Sequence, residues 1–218
     1  MGGSGSVKLA RVEILELDIV TGKKTSFAAD SRRALRALTR AEVPFAVIGA
    51  TALAARGLPR MTKDLDVVVT VDDAWDALDA LQGAGFRSVS PVERGEAPEP
   101  MYVLTRGPSE VDLLVAAGEP ESTVIAEATS VSVFGVDAPT ATLEHLVLMY
   151  LYSNQVRHQG DLARIVVETL ADLGDVERYL AEVHPEMLSV LRDRVQLARN
   201  PPPAPARPTK SPARTKKR

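Results

Sequence analysis

The chain has no cysteine, which removes disulfides and thiolate metal sites at once. Aromatic residues make up only 4 %, against 45 % hydrophobic residues in all, so the core has to be built from Val, Leu, Ile and Ala. No stretch approaches the ~18 apolar residues of a membrane span, and no signal peptide opens the chain. The expectation is a cytoplasmic protein with no membrane segment. His145, His158 and His184 show no His-x-x-x-His spacing, which argues against zinc. Acidic residues are missing from 200–218, where Arg207, Lys210, Arg214, Lys216, Lys217 and Arg218 leave a basic, Pro-rich tail. Removing those six from the 26 Lys and Arg leaves 20 against 29 Asp and Glu, so the remainder carries about −9 while the whole chain carries −3.

What is there sorts into an α/β part and a helical part. Residues 1–6 (Met-Gly-Gly-Ser-Gly-Ser) read as a linker or expression scar. Residues 7–24 are β-branched and end in a Gly turn, which reads as an N-terminal strand or hairpin able to mediate homodimer pairing. Asp30 or Ser31 caps a helix to about Ala41. Phe45–Ile48 reads as a strand, Thr51–Arg56 as a helix and Leu65–Val71 as a buried strand. Asp72 or Asp73 caps a helix through Gln82, and Phe86–Val89 is a strand. An exposed loop over 91–100 leads to the hairpin strands Met101–Thr105 and Glu110–Val115, then a single strand over Val131–Val136. Helices follow: one capped by Thr140 over 141–153, then Gly160–Leu173, Val176–Val183 and Pro185–Arg199. The tail from Asn200 buries too little apolar surface to offset its ordering entropy and reads as disordered, with nucleic-acid attraction a candidate role.

The segment 45–69 organises the rest. Strand side chains alternate faces, so Asp64 and Asp66 project together while Leu65 points away. Adjacent carboxylates repel unless a cation sits between them, and a hard divalent ion is the usual answer. The bland alternative is a solvated acidic pair at the head of a strand. Asp112 also opens an apolar run, and if its strand is a neighbour the three acids converge at one sheet edge. Three carboxylates can hold two Mg²⁺ ions, one on a triphosphate and one on an attacking hydroxyl. The turn Gly49-Ala50-Thr51 between strand and helix suits phosphate, with Thr51 as a simple cap the plainer reading.

These residues carry a resemblance. Gly49-Ala-Thr-Ala-Leu53, Gly57-Leu-Pro-Arg60 and Thr62-Lys-Asp-Leu-Asp66 resemble the signature of the nucleotidyltransferase superfamily with its polymerase-β-like fold, nearest to that of AbiEii-type nucleotidyltransferase toxins. The likeness spans roughly residues 43–165, with Asp112 matching the third acid and Arg157-His-Gln-Gly-Asp161 a later helical motif. It implies a small mixed sheet with flanking helices over 25–138 and a helical part over 139–199. It implies Asp64, Asp66 and Asp112 as catalytic metal ligands for two Mg²⁺. Gly49, Ala50, Thr51, Arg60, Lys63, Arg157 and Asp161 would bind the NTP. The implied activity moves an NMP from an NTP such as ATP to an acceptor hydroxyl, with RNA or tRNA as acceptor and an antitoxin or other protein partner. Ala50 stands where the family has a second Gly, and Tyr150 stands where a helical Lys is expected. The second departure keeps open a non-catalytic nucleotide- or partner-binding module. A small-molecule, antibiotic-type transferase is the third reading.

Overall fold

Helix α1 (Phe27–Arg40) turns Ala34, Leu35 and Leu38 inward at helical spacing, and all three are fully buried. Each such leucine contributes about 1.5–3 kcal/mol relative to an exposed one. The computed structural model describes residues 26–59, 61–95, 97–153, 155–168 and 173–201. The expected linker and hairpin of 1–24, Arg60 and the tail from 202 onward lie outside the described residues.

The chain continues through β1 (Phe45–Val47), α2 (Gly49–Ala55), β2 (Asp64–Thr70), α3 (Ala74–Gly83), β3 (Arg87–Ser88), β4 (Met101–Arg106) and β5 (Ser109–Ala116). Then come α4 (Glu121–Ala126), β6 (Thr129–Val133), β7 (Val136–Thr140), and helices α5 (Leu143–Tyr152), α6 (Val156–Glu168), α7 (Gly174–Val183) and α8 (Pro185–Arg199). The strands form one mixed sheet of seven, ordered β3-β4-β5-β2-β1-β7-β6. β1 pairs antiparallel with β2, and β2 pairs parallel with β5 in a register that sets Asp66 opposite Asp112. The expected α/β class, a mixed sheet with flanking helices followed by a helical part, is the one found.

Two contacts show which face of the sheet is covered by α1 and α3. The buried Asp30 of α1 takes a hydrogen bond of 2.8 Å from the Ser109 hydroxyl and an ion pair from Arg106. On α3, Trp75 packs against Tyr102 with ring centroids 6.3 Å apart. Ser109 and Tyr102 therefore point toward these helices. By alternation, Glu110 and Asp112 on β5, and their register partners Asp64 and Asp66 on β2, point to the other face.

Several boundaries differ from expectation, each for a local reason. Asp30 and Ser31 do not cap α1, because both are buried three and four residues inside it. Helix α2 starts at Gly49 rather than Thr51. The single strand expected over 131–136 is a hairpin: Phe134 (φ 50°) and Gly135 (φ 78°) make the turn, and β7 runs through Pro139 to Thr140. Thr140 is thus a buried strand residue, and Thr142 caps α5 by accepting from the His145 N–H. Helix α6 begins at Val156, which leaves Gly160 inside it, and α4 was not anticipated.

The helical part is fastened to the sheet by Arg56, which donates to Ala141 O at 2.6 Å, Thr140 O at 3.0 Å and Thr129 Oγ1 at 2.8 Å. Beside this clasp, His145 is 1 % exposed, edge-on to Tyr179 with centroids 5.2 Å apart, its Nδ1 3.0 Å from Thr142 Oγ1. Burial pushes the His145 imidazole below its ordinary value; Glu127, Glu144 and Glu119 oppose this and Arg56 adds to it. A base with a lowered folded value gives stability at neutral pH that is lost on acidification, since the unfolded chain takes up its proton first, below about 6.5. The urea midpoint is therefore expected to fall as pH drops from about 7 toward 5. His145→Gln is expected to flatten that part of the profile.

Candidate active site

β1 runs into an abrupt bend at Ile48–Gly49, and the Ile48 N–H donates to Asp66 O at 3.0 Å. This presses Gly49 onto the head of β2. Gly49 has φ +63°, and a Cβ there would lie 2.1 Å from Asp66 Oδ2. Glycine is required twice over: for the left-handed backbone and for the space.

The register between β2 and β5 then does what the alternation foretold. Carboxylate oxygens of Asp64, Asp66 and Asp112, all half-buried, lie within 4.8 Å of one another. At that spacing each pair of full charges repels by about 3.5 kcal/mol at an effective dielectric of ~20. Thr62 donates its hydroxyl to Asp64, steadying one of the three. Asp112 has the opposite situation: its Oδ1 is buried and has no hydrogen-bond partner among the described residues. Its acidity is weakened first by burial, then by Glu110 and Asp64, with Arg157 and Lys63 pulling the other way.

A carboxylate oxygen buried without a donor, among two further carboxylates, fits a hard cation held through oxygen. Asp64, Asp66 and Asp112 are the residues that would hold it.

The other expected residues divide. Lys63 and Arg157 both favour the charged form of Asp112. Ala50 and Thr51 follow Gly49 into α2 and are buried, and the Thr51 hydroxyl has no partner among the described residues. Asp161 is buried, one turn beyond Arg157 in α6. Arg60 lies outside the described residues. Tyr150, at the expected lysine position, is 4 % exposed and lies against His158 with ring centroids 4.9 Å apart. It is packed and brings no cation. Glu110, in register with Asp64, is a fourth carboxylate on the same face, missed because only Asp112 was tested as a third acid. The same alternation that paired Asp64 with Asp66 pairs Glu110 with Asp112.

The chain matches no known family profile and no curated protein. Among solved structures it is similar to the antibiotic-resistance factor ANT(2'')-Ia in solution, with 19 % identity, 76 % of this chain and 89 % of that one covered, and a TM-score of 0.44. The crystal structure of ANT(2'')-Ia with adenylyl-2''-tobramycin gives 18 %, 78 %, 96 % and 0.45. A protein of Thermotoga maritima assigned as a nucleotidyltransferase gives 19 %, 63 %, 91 % and 0.47. At such identity these likenesses say nothing about chemistry, which has to be read from the side chains.

Gly49→Ala is expected to cost about 1–3 kcal/mol of stability through the strained backbone alone, and to push Asp66 off its position. Thermal denaturation with and without Mg²⁺ checks both: the parent gains stability from the ion and the variant does not.

Proposed function

We propose that this protein is a metal-dependent nucleotidyltransferase that moves an NMP from an NTP to an acceptor hydroxyl and releases pyrophosphate. The observation that carries the reading is the convergence of Asp64, Asp66 and Asp112 beneath Gly49, with Asp112 Oδ1 buried and unpaired. Two Mg²⁺ ions, when bound, would supply charge neutralisation on the triphosphate and acidify the acceptor hydroxyl.

The chain's own residues divide the remaining work. Asp64 and Asp66 hold the donor end of the site. Asp112 faces the acceptor and takes its proton as the acceptor oxygen bonds to the α-phosphorus and the bond to pyrophosphate breaks. Gly49, Ala50 and Thr51 form the turn against which the β- and γ-phosphates lie; the unpartnered Thr51 hydroxyl supports this. Lys63 and Arg157, already acting on Asp112, supply the positive charge that Tyr150 does not. Arg60 and Asp161 complete the nucleotide contacts. The residue pattern resembling the toxin branch makes RNA or tRNA the acceptor of first choice, in a cytoplasmic toxin–antitoxin setting. Among the described residues no helix is long and apolar enough to cross a membrane.

One observation favours a second reading. Tyr150 is committed to packing, so a protein that binds NTP and metal without turnover is the specific rival. Incubation with each labelled NTP, Mg²⁺ and total RNA separates the two. Labelled RNA supports transfer, whereas calorimetric NTP–Mg²⁺ binding with no labelled acceptor supports the rival. Replacing Asp64 and Asp66 together by Asn is expected to abolish Mg²⁺-dependent NTP binding under either reading. Unchanged binding in that double variant would remove the triad from the site.

A further inference from the structure

Helix α1 carries Arg32, Arg33, Arg36 and Arg40 away from the sheet, and with Ala29 they line a groove of about 240 Å³. Arg33, Arg36 and Arg40 are exposed, and among the described residues none of the three forms a salt bridge. Arg32, Arg36 and Arg40 stand at successive i, i+4 positions, where like charges destabilise a helix. This concentration of positive charge sits on a chain whose remainder outside the tail is strongly acidic. Nothing in the fold requires it, and an anionic polymer would relieve it.

A second feature adjoins the ridge. Arg32 donates to the backbone oxygen of Phe134 at 3.3 Å, and Phe134 meets Phe27 edge-on with centroids 5.4 Å apart. Both rings are only half-buried. Phe134 holds φ 50°, a region that bulky residues rarely adopt and that marks stored strain. A turn would be easier with Gly or Asn, and the Phe134 ring lies instead against Phe27 at the margin of the core.

We infer that α1 and the β6–β7 turn form a binding site for single-stranded nucleic acid: the arginines track the phosphates, and the Phe27–Phe134 pair is a platform for a base. Positive groove plus aromatic platform is the general chemistry of single-strand binding. Successive arginines are about 6 Å apart along the helix, four residues at 1.5 Å rise, the reach of one nucleotide in an extended strand. An acidic peptide would use the arginines but has no need of the rings. Helix α1 and the carboxylates lie on opposite faces of the sheet, so this is a site apart from the triad. Binding at α1 needs no turnover, so this inference and the transfer reading fail separately.

The test is fluorescence anisotropy of the full chain with a labelled single-stranded RNA of about 12 nucleotides, at salt from about 50 to 200 mM. The variant Arg33→Gln/Arg36→Gln/Arg40→Gln is expected to bind at least about tenfold more weakly, with a salt slope shallower by about 2 for three lost phosphate contacts. Phe134→Gly, which suits the positive φ, is expected to weaken binding about tenfold with the slope unchanged. A charge-matched control, Arg178→Gln/Arg192→Gln/Arg194→Gln on α7 and α8, is expected to bind like the parent. Circular dichroism confirms that each variant is folded, and Arg36→Gln alone serves if the triple variant is not. Parent-like binding by the α1 and Phe134 variants would overturn the inference. So would equal loss in the control, or displacement of the RNA by polyglutamate at equal charge.

Discussion

The parallel pairing of β2 with β5 forces like charges together, and most of the structure around the site answers to that. Two strands of a parallel pair cannot slide to ease the repulsion. A shift of one residue would turn Leu65, Val67 and Val69, with Val111 and Leu113, away from the covered face of the sheet. The core thus holds Asp66 opposite Asp112 whether or not anything neutralises them. Burial of the apolar faces stabilises the sheet, and the cluster of carboxylates draws on that stability. Thr62, Lys63 and Arg157 reduce the cost from the edges without removing it.

The helical part is joined to this edge at two levels. Arg56 clasps the end of β7 and the start of α5, while Arg164 of α6 reaches back to Pro59 O at 3.0 Å. Between them, Tyr150 of α5 and His158 of α6 lie together, and Ser153 Oγ is 2.6 Å from His158 Nδ1. The neighbour of that histidine is Arg157. Arg157, one of the cations acting on Asp112, is thus carried at the α5–α6 corner beside this aromatic packing.

The fold class and the heart of the site were legible because both follow from period. Alternation set Asp64 and Asp66 on one face, while their meeting with Asp112 was conditional on its strand lying beside theirs, which the β2–β5 pairing supplies. Gly49 was expected in a turn suited to phosphate, but that its close neighbour is Asp66 depends on the β1–β2 pairing, which is tertiary. What escaped had misleading local chemistry. Phe134 is not a turn residue by propensity, and Pro139 argued against a strand. β7 is nevertheless bridged to β1 only at Thr140, so Pro139 has no ladder bond to lose on that side. Thr140 was expected to cap the helix after it, but burial of β7 takes Thr140 into the sheet and leaves the cap to Thr142. The arginines of α1 lie opposite its buried apolar residues. That Arg33, Arg36 and Arg40 form no salt bridge among the described residues follows from tertiary packing and not from local sequence.

The tight fit between Gly49 and Asp66 also bears on how this chain would age if its chemistry were no longer needed. Nothing with a side chain fits at position 49, so selection for folding alone would keep the glycine after turnover had gone. Lys63 and Arg157 have no such protection, because the core does not depend on their charge. A lineage drifting away from catalysis would shed the mutually repelling acids together with those two cations while preserving the glycine turn. Among descendants of such a protein, the acids and the cations rather than the glycine would be the informative record of whether the site still works.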